Sequence, residues 1–183
     1  GDVVARLTSQ IAGGTEFIVP MGERADPQTV QFGNHVDTEP VGVLAWEATR
    51  IASGIPRIGL DTDARTIPNE IGLYATHLDK GCYRGQETVA RVHNLGRPPR
   101  RLTMLMLDGS DAELPDPGAS VILEGRKVGQ LGGVAMHHEL GPVGLALLKR
   151  NVSVDAGPTV DGVAASQTIL VDPEVGLHVR PQL

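Results

Sequence analysis

The chain has 183 residues, 40% of them hydrophobic, and carries a net charge of −6 and a single cysteine. That length suits one large or two small domains. The acidic balance argues against a general nucleic-acid binder, the lone cysteine excludes an intrachain disulfide and gives no sign of an oxidising compartment, and no apolar run approaches the length of a membrane span.

Val3 to Leu7 and Thr15 to Pro20 read as two strands around a Gly13-Gly14 turn. Residues 28–36 are ambiguous: Asp26-Pro27 can open a helix there, with Pro at the first helical position, and Gly33 would end it. A clearer helix follows Glu39-Pro40. Val41, Leu44, Ala45, Ala48 and Ile51 recur at helical spacing, with Glu47 and Arg50 expected on the outer side. Gly54 stops this helix and Pro56 prevents its continuation. Trp46 lies off the central stripe, at the rim of the core or as part of a ligand wall. Arg57 to His77 is loop-like, and its Asp61 and Asp63 are read as turn-forming residues rather than a metal pair.

The densest chemistry sits at Lys80-Gly81-Cys82-Tyr83-Arg84-Gly85-Gln86-Glu87. Two glycines bracket the cysteine and free the backbone for turns closed to other residues. Gln86 to Val92 reads as a short helix, with Val89 and Val92 on one face and Glu87 placed four residues before Arg91. Cys82 then lies just ahead of a helix N-terminus, between Lys80 and Arg84, where a thiolate is favoured over a thiol. The plain alternative is a buried, inert cysteine. From Lys80 to Arg101 six cations (Lys80, Arg84, Arg91, Arg97, Arg100 and Arg101) stand against one acid, Glu87. They form either a solvated basic face or a local anion site.

At Pro98-Pro99 the pattern changes. Leu102 to Leu107, Ser120 to Leu123, Lys127 to Gly132, Val143 to Leu148 and Ala165 to Val171 read as strands, with Glu124-Gly125 as a hairpin turn. Short strands, 23 glycines and 13 prolines predict a small antiparallel barrel. The expected fold class is α+β. The histidines are scattered, and His137-His138 beside Glu139 does not read as a metal site, because adjacent strand residues face opposite ways.

The eight residues from Lys80 to Glu87 resemble the K-G-C-Y-x-G-Q-E motif of the YgfZ family, a folate-binding, T-protein-like group linked to iron–sulfur cluster assembly and repair. Gly54-Ile55-Pro56 and Ala90-Arg91 also fit, and the likeness runs from about Val41 to the C-terminus. The resemblance implies a partial T-protein-like α/β segment followed by a C-terminal barrel. Residues 1–97 are then a remnant of the folate-binding domains and 98–183 the barrel domain. An N-terminal half of the same protein is expected as a missing partner.

The resemblance also implies a reactive Cys82, presented by a loop of Lys80, Gly81, Tyr83, Arg84, Gly85, Gln86 and Glu87. Lys80, Arg84 and Trp46 become candidate contacts to tetrahydrofolate, and the basic stretch a place for its glutamate tail. The implied function is maintenance of iron–sulfur enzymes, including tRNA-modifying ones, in the cytoplasm. The implied partners are iron–sulfur client or assembly proteins, with no membrane and no direct nucleic-acid binding. Two alternatives stay open: a tetrahydrofolate-dependent aminomethyltransferase, and a degenerate non-catalytic binding module. Where relatives often place Glu-Ala-Gly, this chain has Ala52-Ser53-Gly54, so weaker pterin binding is expected.

Overall fold

The computed structural model of the protein describes residues 5–8, 15–18, 41–73, 81–95, 98–110 and 113–174. The helix expected over 28–36, the Gly13-Gly14 turn, Lys80, Arg97 and the side chains of Arg91 and His93 lie outside these residues. Strand β1 (Ala5–Thr8) pairs antiparallel with β2 (Thr15–Ile18). Helix α1 (Val43–Ala52), a single 3-10 turn (Pro68–Ile71) and helix α2 (Gln86–Leu95) follow. The six remaining strands are β3 (Arg100–Leu107), β4 (Ser120–Leu123), β5 (Arg126–His137), β6 (Gly141–Lys149), β7 (Thr159–Val160) and β8 (Val163–Ile169). They close a barrel in the order β3-β6-β5-β4-β7-β8 with antiparallel pairings. The protein is therefore α+β with a C-terminal antiparallel barrel. No helix among the described residues is long and apolar enough to cross a membrane.

Alternation along β3 explains how the barrel is filled and covered. Leu105 and Leu107 join Val121, Leu131, Ala146, Leu148, Val160 and Ala165 in one buried cluster, the barrel interior. Leu102 and Met104, on the opposite face of the strand, join Ala135, Val143, Leu145 and Leu147 and meet Ala48 and Ile51 of α1. Strand β6 is thus buried on both faces, which is why Val143 to Leu148 is an unbroken run of apolar and small residues. The β4–β5 hairpin turns at Glu124 (φ 50°) and Gly125 (φ 74°). Two positive φ values in a two-residue loop match the twist of paired strands.

Two expectations are corrected. Helix α1 begins at Val43, and its buried residues are Ala48, Arg50 and Ile51. The first part of the expected apolar stripe is open: Val41, Leu44 and Ala45 are exposed. Arg50, expected outside, is 2% exposed. It is buried because its charge is matched there by Glu47 and Asp61, and Nη1 also donates to the Ile55 carbonyl.

The region after Arg57 is not only loop. The 3-10 turn forms because Pro68 pre-sets the helical φ, the Ile67 N–H donates to the Glu70 carboxylate at 3.1 Å, and Gly72 ends it at φ 74°. Asp63 does form the expected Asx turn, accepting from the Arg65 N–H at 2.9 Å. Asp61 does not. It is 4% exposed and accepts from Arg50 (2.8 Å), the Arg57 N–H (2.7 Å) and the Gly133 N–H (2.5 Å).

Candidate functional site

The loop that carries Cys82 is built by the start of α2. Gly85 sits at φ 85°, a left-handed conformation that glycine adopts without the Cβ penalty. Behind it, the Gln86 N–H donates to the Tyr83 carbonyl at 3.2 Å and the Val89 N–H to the Gly85 carbonyl at 3.1 Å. Val89 is buried at 5% exposure and anchors the helix. Glu87 lies in the first helical turn, where its negative charge complements the helix dipole.

Cys82 is a free, exposed thiol. Gly81, Arg84 and Glu87 are exposed as well, and Gln86 is half-buried. Tyr83 turns inward, and its hydroxyl is buried with no hydrogen-bond partner among the described residues. The local architecture therefore holds Tyr83 and Val89 down while leaving Cys82 and Arg84 open to solvent. Lys80 lies outside the described residues.

Trp46 projects from α1 and is 42% exposed. Among the described residues no hydrogen bond or ion pair joins it to the Cys82 loop. Ala52 closes α1, and Gly54 follows at φ 70°, with a hypothetical Cβ only 2.7 Å from Leu170 Cδ2. The chain thus leaves α1 through a position that only glycine fills easily.

The six-cation stretch does not act as one face. Arg100 and Arg101 are neighbours on β3 and point oppositely. Arg100 pairs bidentately with Glu70 (Nε–Oε1 2.9 Å, Nη2–Oε2 2.9 Å) and with Asp63 (Nη1–Oδ2 2.7 Å). Donating hydrogen bonds to Glu70 and then to Asp63 holds the Arg100 pKa above its usual range. Arg100 in turn holds the Asp63 carboxyl well below the carboxylate range.

Arg101 enters the barrel interior at 1% exposure. It donates to Thr103 Oγ1, to the Val152 carbonyl (3.3 Å) and to Gln167 Oε1 (2.8 Å), all neutral acceptors. Burial pushes its pKa down. His137 ends β5 as a turn acceptor, its Nδ1 receiving the N–H groups of Glu139 and Leu140 at 3.2 Å each.

Sequence reasoning missed the Arg50–Asp61–Gly133 and Arg100–Asp63–Glu70 networks. Their members lie 11 to 72 residues apart, so no local periodicity links them. The Gly132-Gly133 pair was a usable signal. A Cβ on Gly132 would lie 2.7 Å from Asp61 Cα, and one on Gly133 would lie 2.6 Å from Arg50 Nη2.

Comparison with known proteins gives partial matches. The chain is 32% identical over 136 residues to a chloroplastic protein of Arabidopsis thaliana named "Putative transferase", covering 69% of this chain and 30% of that protein. It is 36% identical over 80 residues to the tRNA-modifying protein YgfZ of Colwellia psychrerythraea, covering 42% of this chain and 24% of the relative. It is 37% identical over 82 residues to the Escherichia coli O139:H28 protein of the same name, covering 43% and 24%. The chain spans less than a third of the length of these curated relatives. No family model matches the chain. Over the matched stretches the chain is YgfZ-like.

Proposed function

We propose that this YgfZ-like chain is the C-terminal portion of a folate-associated protein that maintains iron–sulfur enzymes through Cys82. The observation that carries the reading is the presentation of that thiol. Cys82 stands exposed at the start of α2, in a loop fixed by Gly85, the inward Tyr83 and the buried Val89. A single cysteine does not complete the ligand set of a cluster. The reading therefore assigns Cys82 a bridging or exchange role toward a partner that supplies the other ligands. The names of the bacterial relatives, tRNA-modifying proteins, agree with clients among iron–sulfur enzymes that act on tRNA.

Folate fits the described residues poorly. Trp46 and Arg84 stand on different elements with no described contact between them, and Ala52 offers no carboxylate for the amide edge of a pterin. We therefore place tetrahydrofolate in the longer protein, with the rest of the folate-binding domains. The second reading is a tetrahydrofolate-dependent transferase, which the name of the plant relative favours.

The test uses the full-length protein in cells that lack it, with the modification level of a tRNA made by an iron–sulfur enzyme as readout. Cys82→Ser should lose most of the rescue, while the fold stays intact by circular dichroism. Full rescue by Cys82→Ser would remove the thiol from the function and favour the transferase reading.

A further inference from the structure

A described cavity lies away from Cys82. A cleft of about 1050 Å³ opens between the loop 58–65 and the barrel, under the Pro117-Gly118 turn and against the start of β5 and the end of β6. Its floor is apolar and firm: Leu131 is 1% and Leu147 7% exposed. Four cations line it, Arg65, Arg100, Lys127 and Lys149. The lining carboxylates are Asp61 and Asp63, and both are committed, Asp61 to Arg50 and Asp63 to Arg100. Arg100 is neutralised by Glu70 and Asp63.

Arg65, Lys127 and Lys149 have no carboxylate partner among the described residues. The Lys149 ammonium donates to the Lys127 backbone carbonyl at 3.0 Å, which tethers it to the start of β5. Three cations without a carboxylate partner line one cleft of a protein whose net charge is −6, so the cleft is a local positive site on an acidic molecule.

We propose that this cleft binds a small phosphorylated ligand, with its phosphates on Lys127, Lys149 and Arg65 and its body against the apolar floor. Small-molecule sites span roughly 300–1,000 Å³ and combine an apolar lining with a few convergent polar groups, which matches this cleft. No aromatic side chain among the described residues lines it. A base-stacking platform needs aromatic faces, so the lining favours a non-aromatic ligand body over a nucleobase or a single strand. The proposal is independent of Cys82.

The experiment is calorimetric titration with inorganic pyrophosphate at low salt, on the whole chain and its variants. The unaltered protein should bind, and Lys127→Gln with Lys149→Gln should weaken binding by about tenfold or more, since each lost charge-assisted contact removes a sizeable part of the affinity. Arg126→Gln is the control. Arg126 neighbours Lys127, carries the same charge and does not line the cleft, so its loss should leave binding unchanged.

No pyrophosphate binding, or an equal loss in the Arg126 variant, would overturn the proposal. A parallel titration with a short single-stranded RNA separates the two sources of phosphate. RNA binding that is tighter than pyrophosphate and lost with the two lysines would overturn the small-ligand assignment. Single Lys127→Gln and Lys149→Gln variants, checked by thermal melting, keep the result readable if the double variant folds poorly.

Discussion

Cys82 and Asp63 show how much one side chain depends on its immediate surroundings. Cys82 is exposed, so a thiol reagent should label the folded chain without denaturant, at one site per chain. Protection until unfolding would return the residue to the inert, buried reading. Asp63 is half-exposed, yet Arg100 holds its carboxyl below the usual range. A carboxyl depressed on folding stabilises the protein above its unfolded pKa, about 3.9. That stabilisation is lost as pH falls from there through the folded value. Asp63→Asn should therefore cost stability at neutral pH and nothing in strong acid. Solvent screening limits the cost to about 0.5–1 kcal/mol. Denaturant melts of both proteins at about pH 7 and about pH 2 check this, and a difference that does not shrink with acid would contradict it.

At the scale of elements, β5 is the strand on which the outer layer is latched. Its register shifts between Leu131 and Val134, and Gly132 and Gly133 fill the irregularity. A bulge locally bends the strand and frees a backbone N–H from the ladder. Here that N–H, on Gly133, meets Asp61. A methyl group at Gly132 would meet Asp61 Oδ1 and also, at 2.7 Å, Asp61 Cα, so backbone as well as side chain would have to shift. Gly132→Ala should accordingly destabilise by about 1–3 kcal/mol, the usual cost of overpacking. Thermal unfolding measures it, and a neutral result would show that the 58–65 loop yields. Asp61→Asn should cost more, about 3 kcal/mol, because it leaves the Arg50 guanidinium buried and short of a counter-charge.

For the molecule as a whole, the barrel and the 41–73 layer share one core. Ala48 and Ile51 pack on Leu102, Met104, Leu145 and Leu147, and Glu70, fully buried, is held by Arg100 across 30 residues of sequence. A barrel without that layer would expose an apolar outer face on β3 and β6, a surface that drives association. Residues 98–174 expressed alone should aggregate or melt without a cooperative transition, whereas residues 41–174 should unfold cooperatively. A monomeric, cooperatively folding 98–174 fragment would mean that the layer is dispensable to the barrel.

The sequence by itself determined the elements whose signal is local. The α1 helix, its stop at Gly54, the β4–β5 hairpin and the doubly buried β6 all follow from period, turn chemistry and apolar runs, because each depends on residues within one element. The residues around Cys82 were legible for the same reason, as two glycines and a helix start in eight positions. Only the tertiary structure decided the fate of the charges. Arg50, expected outside, is buried because Asp61 arrives from another segment. Arg100 and Arg101, adjacent in a basic run, part company because the pleat sends one to Glu70 and the other into the barrel. The cleft was equally invisible, since Arg65, Lys127 and Lys149 come to line one space only when a barrel closes beside a loop. Local propensity fixes where a chain bends and pairs, but a buried charge is tolerated only where hydrogen-bonding partners, many of them distant in sequence, surround it.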